Sequence, residues 1–526
     1  MVEFHPPAAL DRPRAAEDAV GAFGHKTGLI MKQWTGLGSG ALCAFLLGST
    51  ALQADVTADD VWKGMTDYYA ALGQSVTTGS TAMQGDTLVV TDAVFASTVP
   101  EGSFSATFAE IRLKELGDGR VEVTLPGEVP IRMLSKPESG EAVDMGLKFT
   151  QSGLSMIVSG TPEDTAYDLT APEMAIVVDG MTVDGSDVPL KLNVKLSGNS
   201  GSYRMTTAAG RKVVSDMKVE KLDFEVAAQD PEGKGDFSAS GSLAGLTGTS
   251  DAAIPDGVDM ADMHAALQAG LDMSGNFAFS GGGYVMDFED EADTMHAQST
   301  GGAGTLHFKM SKSGMAYGGS GKDSTVSLQV SALPMPIDVS IAETAIEIAL
   351  PVSKSDSAEP FSALVKLVDL KVSDGLWAMF DPTSQLPRDP ATLIVDLAGS
   401  AKMAVDIFDP KQAETIAGAP PGELEALDIR ELQVSAVGAE LTGKGAMTFD
   451  NSSGTPKPLG AVDMQLVGGN ALIDKLVGMG LVPEDQAMGA RMMMGLFAVP
   501  TGEDQLTSKI EFKEDGGVYA NGQRIQ

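Results

Sequence analysis

Cysteine, cationic side chains and aromatic residues are all scarce in this 526-residue sequence. The only cysteine, Cys43, lies in an N-terminal segment that we expect to be removed, so no disulfide or thiol chemistry is expected in the mature chain. The 36 Lys and Arg residues face 72 Asp and Glu residues, which gives a formal net charge of −36. This balance argues against a nucleic-acid partner, because phosphate binding requires clustered cations.

Residues that could carry catalysis or bind a metal are also few. Beyond the segment expected to be removed, the histidines are His264, His296 and His307, and their sequence contexts differ. Because a metal or triad site needs ligands that converge, we expect neither a metal site nor a catalytic centre, and no cofactor. The chain is therefore predicted not to be an enzyme, and an enzyme would have to use carboxylates as its acid and base.

Two local patterns resemble ligand loops but break the rules for them. Residues 287–293 are acidic, yet they lack the mid-loop glycine and the spacing of a calcium loop, which favours the solvated end of a hairpin. Residues 318–322 suggest a phosphate-binding loop, but Ala316 and Asp323 stand where that motif needs Gly and Ser or Thr. The second pattern is predicted to be a glycine-rich turn.

The N-terminal segment 31–54 is predicted to be a secretory signal. Lys32 precedes a short apolar stretch, and small residues precede Asp55, which is the order found in signal peptides. Cleavage between Ala54 and Asp55 would place the mature chain in the periplasm, with residues 49–51 as a competing cleavage site. An uncleaved signal anchored in the inner membrane is the alternative, although the stretch is barely long enough to span a bilayer. Residues 1–30 are expected to be a mis-assigned upstream start.

From about residue 86 onwards, apolar and polar residues alternate, which is typical of antiparallel strands with one face in water. The apolar positions of the predicted strands are 111/113, 121/123/125, 190/192/194/196, 222/224/226, 306/308/310, 326/328/330, 337/339/341, 346/348/350, 393/395/397, 462/464/466 and 510/512. Turn signals at 117–120, 198–201 and 514–517 indicate short connections. The predicted fold is mainly β (α+β), a long curved antiparallel sheet forming an open groove or a sandwich, with a few short helices packed on it.

Helical spacing is confined to short segments. A capping box at Thr57 and Asp60 predicts a helix up to Gly73, and further helices are predicted at 258–267, 374–380, 471–477 and after Pro483. The predicted division of the chain is 31–54 signal, 55–75 N-terminal helix, 76–300 first β-rich half, 301–470 second β-rich half, and 471–526 C-terminal helix pair with a final strand.

The C-terminal helix pair carries an apolar face too large to leave in water, so it should dock on something. Its own sheet is one candidate partner, and a groove ligand or a membrane is another. The many methionines, 28 in all, suit either an irregular core or a surface that accepts variable apolar ligands. The candidate groove or contact residues are Leu476, Val477, Met488, Met492, Leu496 and Phe497.

Several segments resemble exported Gram-negative proteins known only as domain of unknown function 2125. The segments are residues 55–62, 375–382, 386–390, 481–488, 504–508 and 521–524. More distantly, the serial two-faced strands are similar to AsmA-like envelope proteins. That second resemblance implies a long curved sheet with an apolar groove and a role in lipid handling or envelope biogenesis.

The expected function is that of a non-enzymatic periplasmic protein whose apolar sheet groove binds or shuttles lipid acyl chains or supports envelope biogenesis. The alternative is a scaffold or adaptor with a closed β-sandwich and an acidic interaction surface. A lipid or an envelope protein is the expected partner, and any membrane contact should be local and apolar because the net charge repels anionic headgroups.

Overall fold

The computed structural model describes residues 56–71, 74–99, 101–136, 140–207, 210–230, 235–258, 260, 262–412 and 420–526. The predicted signal and its cleavage site, Ala54 and Asp55, lie outside the described residues, as do residues 1–30. Five α-helices and a 3-10 turn at Pro410–Gln412 are found in the described part of the chain. The helices are α1 (Ala58–Ala71), α2 (Met263–Gln268), α3 (Asp374–Phe380), α4 (Gly469–Gly478) and α5 (Glu484–Phe497).

Among the described residues, 28 strands form one antiparallel sheet. The strands are β1 (Ser75–Thr77), β2 (Ser80–Gln84), β3 (Thr87–Val99), β4 (Gly102–Glu115), β5 (Val121–Thr124), β6 (Glu128–Ser135), β7 (Val143–Ser152), β8 (Ser155–Thr161), β9 (Asp164–Val183), β10 (Ser186–Asp187), β11 (Leu190–Thr206), β12 (Arg211–Gln229), β13 (Gly235–Ile254), β14 (Asp272–Phe279), β15 (Gly281–Asp290), β16 (Thr294–Gly301), β17 (Gly304–Ser311), β18 (Gly314–Val330), β19 (Ile337–Leu350), β20 (Glu359–Val372), β21 (Ala391–Met403), β22 (Gly422–Ala436), β23 (Ala439–Asp450), β24 (Lys457–Val467), β25 (Val499–Gly502), β26 (Gln505–Phe512), β27 (Val518–Ala520) and β28 (Gln523–Arg524).

Most strands pair with the strands next to them in the chain. Two units of six strands instead contain a branched pattern of pairing, which is the same in both units. In the first unit, β4 pairs with β5 near its C-terminal end and with β6 near its N-terminal end. The β5 branch continues to β8 and the β6 branch to β7, and both branches meet on β9. Strands β13 to β18 repeat each of these pairings in the same order. The sheet therefore contains a structural repeat, and the predicted boundary at residue 300 falls inside its second copy.

A crease crosses the long strands at one level of the sheet. At Gly198, Gly245, Asp323 and Asp369 the ladder is interrupted, and the alternation of inward and outward side chains shifts by one residue. These residues have φ angles of 63°, 61°, 50° and 55°, a region that favours Gly and is tolerated by Asp. The shift keeps apolar side chains on the same face of the sheet on both sides of the crease.

The crease overturns two predictions about turns and strands. Residues 337–341 and 346–350 were expected to be separate strands, but they form the single strand β19, because the break in their alternation is the crease. Residues 198–201 lie inside β11 instead of forming a turn, for the same reason.

Residues 318–322, predicted to be a glycine-rich turn, are also strand, within β18. Gly318 leaves room for the His307 ring, because a Cβ at this position would come within 2.5 Å of the ring.

The predicted fold class is confirmed, since one long antiparallel sheet with a few short helices makes up the described chain. The predicted capping box is present: the Asp60 N–H donates to Thr57 Oγ1 at 3.1 Å, and the Thr57 N–H donates to Asp60 Oδ2 at 3.1 Å. Helix α2 is shorter than predicted, because residues 256–257 form a turn and Asp262 caps the helix through the Ala265 N–H.

The first third of the sheet, from β3 to β11, curls around α1 and encloses a buried apolar core. Phe95 of β3 contacts the rings of Trp62 and Tyr69 on α1 at centroid distances of 6.2 and 4.8 Å. Tyr203 of β11 belongs to the same buried cluster. Helix α1 thus fills the space between the first and last strands of the curl. Burial raises the pKa of Tyr167, which packs against Tyr203, to about 12.

We predict that the buried core and the later part of the sheet lose different amounts of stability when an aromatic ring is removed. Phe95 is 3% exposed, so Phe95→Ala should lower the free energy of unfolding by about 3–5 kcal/mol. Phe277 of β14 is 39% exposed, so Phe277→Ala should cost about 1 kcal/mol or less. Urea denaturation followed by circular dichroism compares the two, and equal losses would contradict a core confined to the first third.

Candidate functional site

The later strands carry an apolar surface that continues the buried core. Leu169 of β9, Gly201 of β11 and Met217 of β12 lie directly opposite one another, so the face inside the curl is the same face beyond it. We call the residues that β12 to β24 present on this side the open face. One row of this face consists of residues that lie directly opposite one another on successive strands, and we call such a row a level. Its members are Met217, Gly248, Phe277, Leu306, Gly319, Ile346, Val365, Val395, Leu432, Gly443 and Met464.

This level crosses eleven strands, which corresponds to roughly 50 Å at the usual strand spacing. Away from the strand ends, every residue on the open face is apolar, Gly, Ser, Thr or Pro. Among the described residues, therefore, no charged side chain interrupts this surface away from the strand ends. An uninterrupted apolar strip of this size lies well above what soluble proteins expose without a functional reason.

The open face is incompletely covered. Tyr317 is 49% exposed and Ile346 is 47% exposed, whereas equivalent positions in the curl are buried. Other large side chains of the open face that are substantially exposed are Met217, Phe277, Tyr284, Leu306, Val326, Ile348, Leu350, Val365 and Val434. Helix α2 covers only the margin, where Leu267 and Leu271 join Val352 in a small separate core.

Glycines let aromatic rings lie flat along this surface. A Cβ on Gly275 would come within 2.5 Å of the Phe308 ring, and one on Gly304 within 2.3 Å of the Phe279 ring. Gly248 similarly accommodates Phe277. The rings therefore extend over neighbouring backbone instead of projecting away from the sheet, which leaves the apolar surface low and continuous.

The opposite face of the same strands is polar and carries ion pairs. Lys212 Nζ lies 3.2 Å from Asp251 Oδ2, and Lys366 Nζ lies 2.9 Å from Glu343 Oε1. A cavity of about 440 Å³ opens on this side. It is lined by hydroxyl and charged groups such as Thr300 and Lys371, so its chemistry does not match that of the open face.

Helix α3 follows β20 and α4 follows β24, with α5 directly after α4, and the C-terminal ends of β20 and β24 lie on the same side of the sheet. We call this side, formed by strand ends, the helix edge. The ladder pairings from β20 to β26 place these strand ends together. A Cβ on Gly438, in the turn between β22 and β23, would lie 3.0 Å from Pro387, so the loop after α3 reaches that turn. No helix in the described part of the chain is long and apolar enough to cross a membrane.

The predicted contact residues separate into two groups on this edge. Leu476, Val477 and Phe497 are partly buried in the helix pair and its junction with the sheet. Met488 and Met492 are each 72% exposed, and Leu496 is 52% exposed, one turn apart along α5. Sequence reasoning named these helix residues but none of the open face, although the alternation at 346–350 had already marked Ile346 and Ile348 as apolar.

Polar residues of the C-terminal strands and of the turns between them hold the helix pair in place. Asp504 accepts hydrogen bonds from the N–H groups of Asn470 and Ala471, at 3.0 and 2.9 Å, and so caps α4. At the end of α5, the carbonyl oxygen of Phe497 accepts hydrogen bonds from Ser508 Oγ and Asn521 Nδ2, at 2.6 and 3.0 Å. The exposed methionines therefore sit on a fixed support.

Asp381 likewise binds backbone N–H groups, in the loop that follows α3. It is fully buried, and its two carboxylate oxygens accept hydrogen bonds from the N–H groups of Gln385 and Leu386, at 2.9 and 2.8 Å. Burial alone would raise the pKa of Asp381, but these N–H groups and nearby Arg388 outweigh it and lower the pKa below its usual value. No sequence pattern had singled out this carboxylate beyond the family resemblance of its segment.

The three histidines lie apart and suggest no common site. His264 is on α2 and His307 is on the polar face of β17, while His296 Nδ1 lies 2.6 Å from Asp287 Oδ1 across a hairpin. Within the described residues, no group of three or more His, Cys, Asp or Glu side chains could hold a metal. Asp290 accepts hydrogen bonds from the N–H groups of residues 292 and 293, so the acidic stretch braces its own turn.

Comparison with known proteins gives a match to a family model. The model of a family described as an uncharacterized protein conserved in bacteria, domain of unknown function 2125, matches residues 258–525. The segments from 375 onwards that carry the resemblance fall inside this range, and residues 55–62 fall outside it. No curated protein and no solved structure matches the chain.

We predict that the Asp504 cap is pH-dependent. Burial raises the pKa of Asp504, but the N–H groups of Ala471 and Asn470 outweigh this and hold it below its ordinary value. A lowered folded-state pKa means that the stabilisation is complete above the unfolded pKa of about 3.9 and is lost as the pH falls through the folded pKa. Asp504→Asn should therefore cost about 1 kcal/mol at neutral pH and less near pH 3.

Urea denaturation at both pH values, together with amide exchange of α4, measures this effect. Glu503→Gln changes the neighbouring exposed carboxyl and should leave both readouts unchanged. An equal cost of Asp504→Asn at the two pH values would contradict a capping role for the ionised carboxylate.

Proposed function

We propose that this chain, which belongs to the bacterial family of domain of unknown function 2125, is a non-enzymatic periplasmic protein that binds lipid acyl chains along its open face. The observation that carries the proposal is the uncharged apolar level running from Met217 to Met464, with side chains such as Ile346 about half exposed. Each methylene removed from water onto such a surface contributes about 0.8 kcal/mol.

The dimensions and chemistry of the face suit acyl chains. One leaflet of a bilayer is about 15 Å thick in its hydrocarbon part, so a strip of roughly 50 Å offers room for several chains. The flat aromatic rings over Gly275 and Gly304 present carbon without polar groups to hydrogen-bond a ligand. Such a surface selects for hydrocarbon and discriminates little between chains of different length.

The remaining parts of the proposal come from the sequence. The signal-like segment 31–54 supports a periplasmic location, and the similarity of the serial strands to AsmA-like envelope proteins supports a role in lipid shuttling or envelope biogenesis. A closed sandwich acting as a scaffold would bury the face that Tyr317 and Ile346 leave partly exposed, so the exposure favours the lipid-binding alternative.

We predict that carboxylates placed on the open face abolish acyl binding. Ile346→Glu with Ile348→Glu adds two charges to the middle of the strip, where a bound chain would have to desolvate them. Binding of a fluorescent fatty acid, measured by titration of the delipidated protein, should weaken by about tenfold or more. The control is Ala345→Glu with Ala349→Glu, which adds the same charges to the same strand on the opposite face and should bind like the parent chain.

Mass spectrometry of protein purified without detergent provides an independent test. Lipid should co-purify with the parent chain and with the Ala345→Glu/Ala349→Glu control, and should be depleted from the open-face variant. A parent chain that is repeatedly free of lipid and leaves the fluorescent fatty acid dark would overturn the proposal in favour of a closed scaffold.

A further inference from the structure

The outer side of α5 presents a stripe of apolar side chains to solvent. Met488, Met492 and Leu496 follow one another at four-residue spacing, and Met493 lies beside them, 51% exposed. Hydrogen bonds accepted by Asp504 and donated by Ser508 and Asn521 fix both ends of the helix pair. The stripe is therefore part of a supported surface, and its exposure is not the result of a loosely attached helix.

A second element adds to this surface at the same edge of the sheet. Helix α3 leaves Met379 and Phe380 exposed by 62% and 46%. The loop that follows α3 reaches α4, because Gln385 Oε1 lies 3.8 Å from the Cβ position of Gly478. Two helices from separate parts of the chain thus expose apolar ends at the helix edge.

The helix edge is continuous with the open face. Leu466 of β24 lies on the open face opposite Leu441, and its side chain would be 2.7 Å from a Cβ on Gly469, the first residue of α4. An acyl chain that leaves the last strands of the open face therefore meets the helix pair next. At the other end of the apolar surface, α1 fills the curl, so the strip is blocked there.

The charge around the stripe is unusual for this chain. From Gln486 to Gly502 the only charged residue is Arg491, which pairs with Asp474, and the nearest carboxylates on α5 lie in its first turn, before the stripe begins. A stripe of flexible methionines that contains no unpaired charge suits a fluid, chemically uniform surface better than a shaped protein pocket. The acidic remainder would meanwhile repel anionic surfaces at distances beyond about 8 Å only weakly at physiological salt.

From these observations we propose that the helix edge, through Met488, Met492 and Leu496, docks on the surface of a lipid bilayer, and that acyl chains reach the open face there. The second part rests on the proposed function, whereas bilayer docking by itself does not. The contact is apolar and shallow, with the side chains of α5 inserted among the lipid headgroups and first methylenes.

The test is flotation with lipid vesicles of the chain that lacks the apolar segment 31–54, so that this segment cannot itself bind the bilayer. The parent chain should float with phosphatidylcholine vesicles, and Met488→Ser/Met492→Ser/Leu496→Ser should lower its partition coefficient by about one to two orders of magnitude. Met83→Ser, at an exposed methionine on β2, is the control and should float like the parent. Since all three substituted side chains are largely exposed, circular dichroism should show an unchanged fold.

Salt distinguishes apolar docking from electrostatic binding. With vesicles that also contain phosphatidylglycerol, binding should be weaker at low salt and rise as salt is added, because screening reduces the repulsion of the acidic chain. Binding that falls with salt, a parent chain that does not float, or a triple variant that floats like the parent would each overturn the proposal. So would light scattering that shows the triple variant converting a dimer to a monomer, since the stripe would then contact a second copy.

The same variant separates this proposal from the proposed function. The triple variant should still bind the fluorescent fatty acid in the absence of vesicles, because the open face is unchanged. If the parent chain floats through α5 but never binds the fatty acid, docking is supported and acyl binding on the open face is wrong.

Discussion

An antiparallel sheet with one apolar face must shield that face from water, and in this protein only part of the sheet has a helix or another part of the sheet packed against its apolar face. Between β3 and β11 the sheet curls on itself and α1 fills the centre, so Phe95 and Tyr203 are buried. From β12 to β24 the same face continues with the same composition, but the helices lie at its edges. The described chain has no element placed to cover the middle of these strands, and side chains such as Tyr317 and Ile346 remain half in water. Most of what distinguishes the two parts of the molecule follows from this difference in cover.

Glycine makes so long an apolar face possible. At Gly198 and Gly245 it permits the positive φ angles of the crease, which bends each long strand without turning its apolar residues outward. At Gly275 and Gly304 it gives aromatic rings room to lie over the backbone. The abundance of glycine in the composition therefore reflects the strands as much as the turns, and this is why the glycine-rich segments at 198–201 and 318–322 were wrongly predicted as turns.

The alternation of residues carries most of the local information and little of the long-range arrangement. It predicted the strand at 190–196 and the apolar side of the segment 346–350 correctly, because period-two patterning depends only on which side faces water. It could not predict that β5 pairs with β8, or that β13 to β18 repeat the scheme of β4 to β9, since those pairings join residues far apart in the chain. The cap formed by Asp504 on α4 was equally beyond reach, because a carboxylate acting on a helix start more than 30 residues away leaves no local pattern.

The large negative charge and the exposed apolar face act at different distances, and together they define what can approach. Repulsion from a net charge of −36 extends over about one screening length and keeps other acidic chains away from a surface that would otherwise promote aggregation. The apolar attraction acts only at contact, and the open face itself carries no charge to hold a counter-charged protein. A neutral hydrocarbon chain experiences the attraction without the repulsion. Under the proposed function, this combination favours acyl chains over acidic protein partners for the open face.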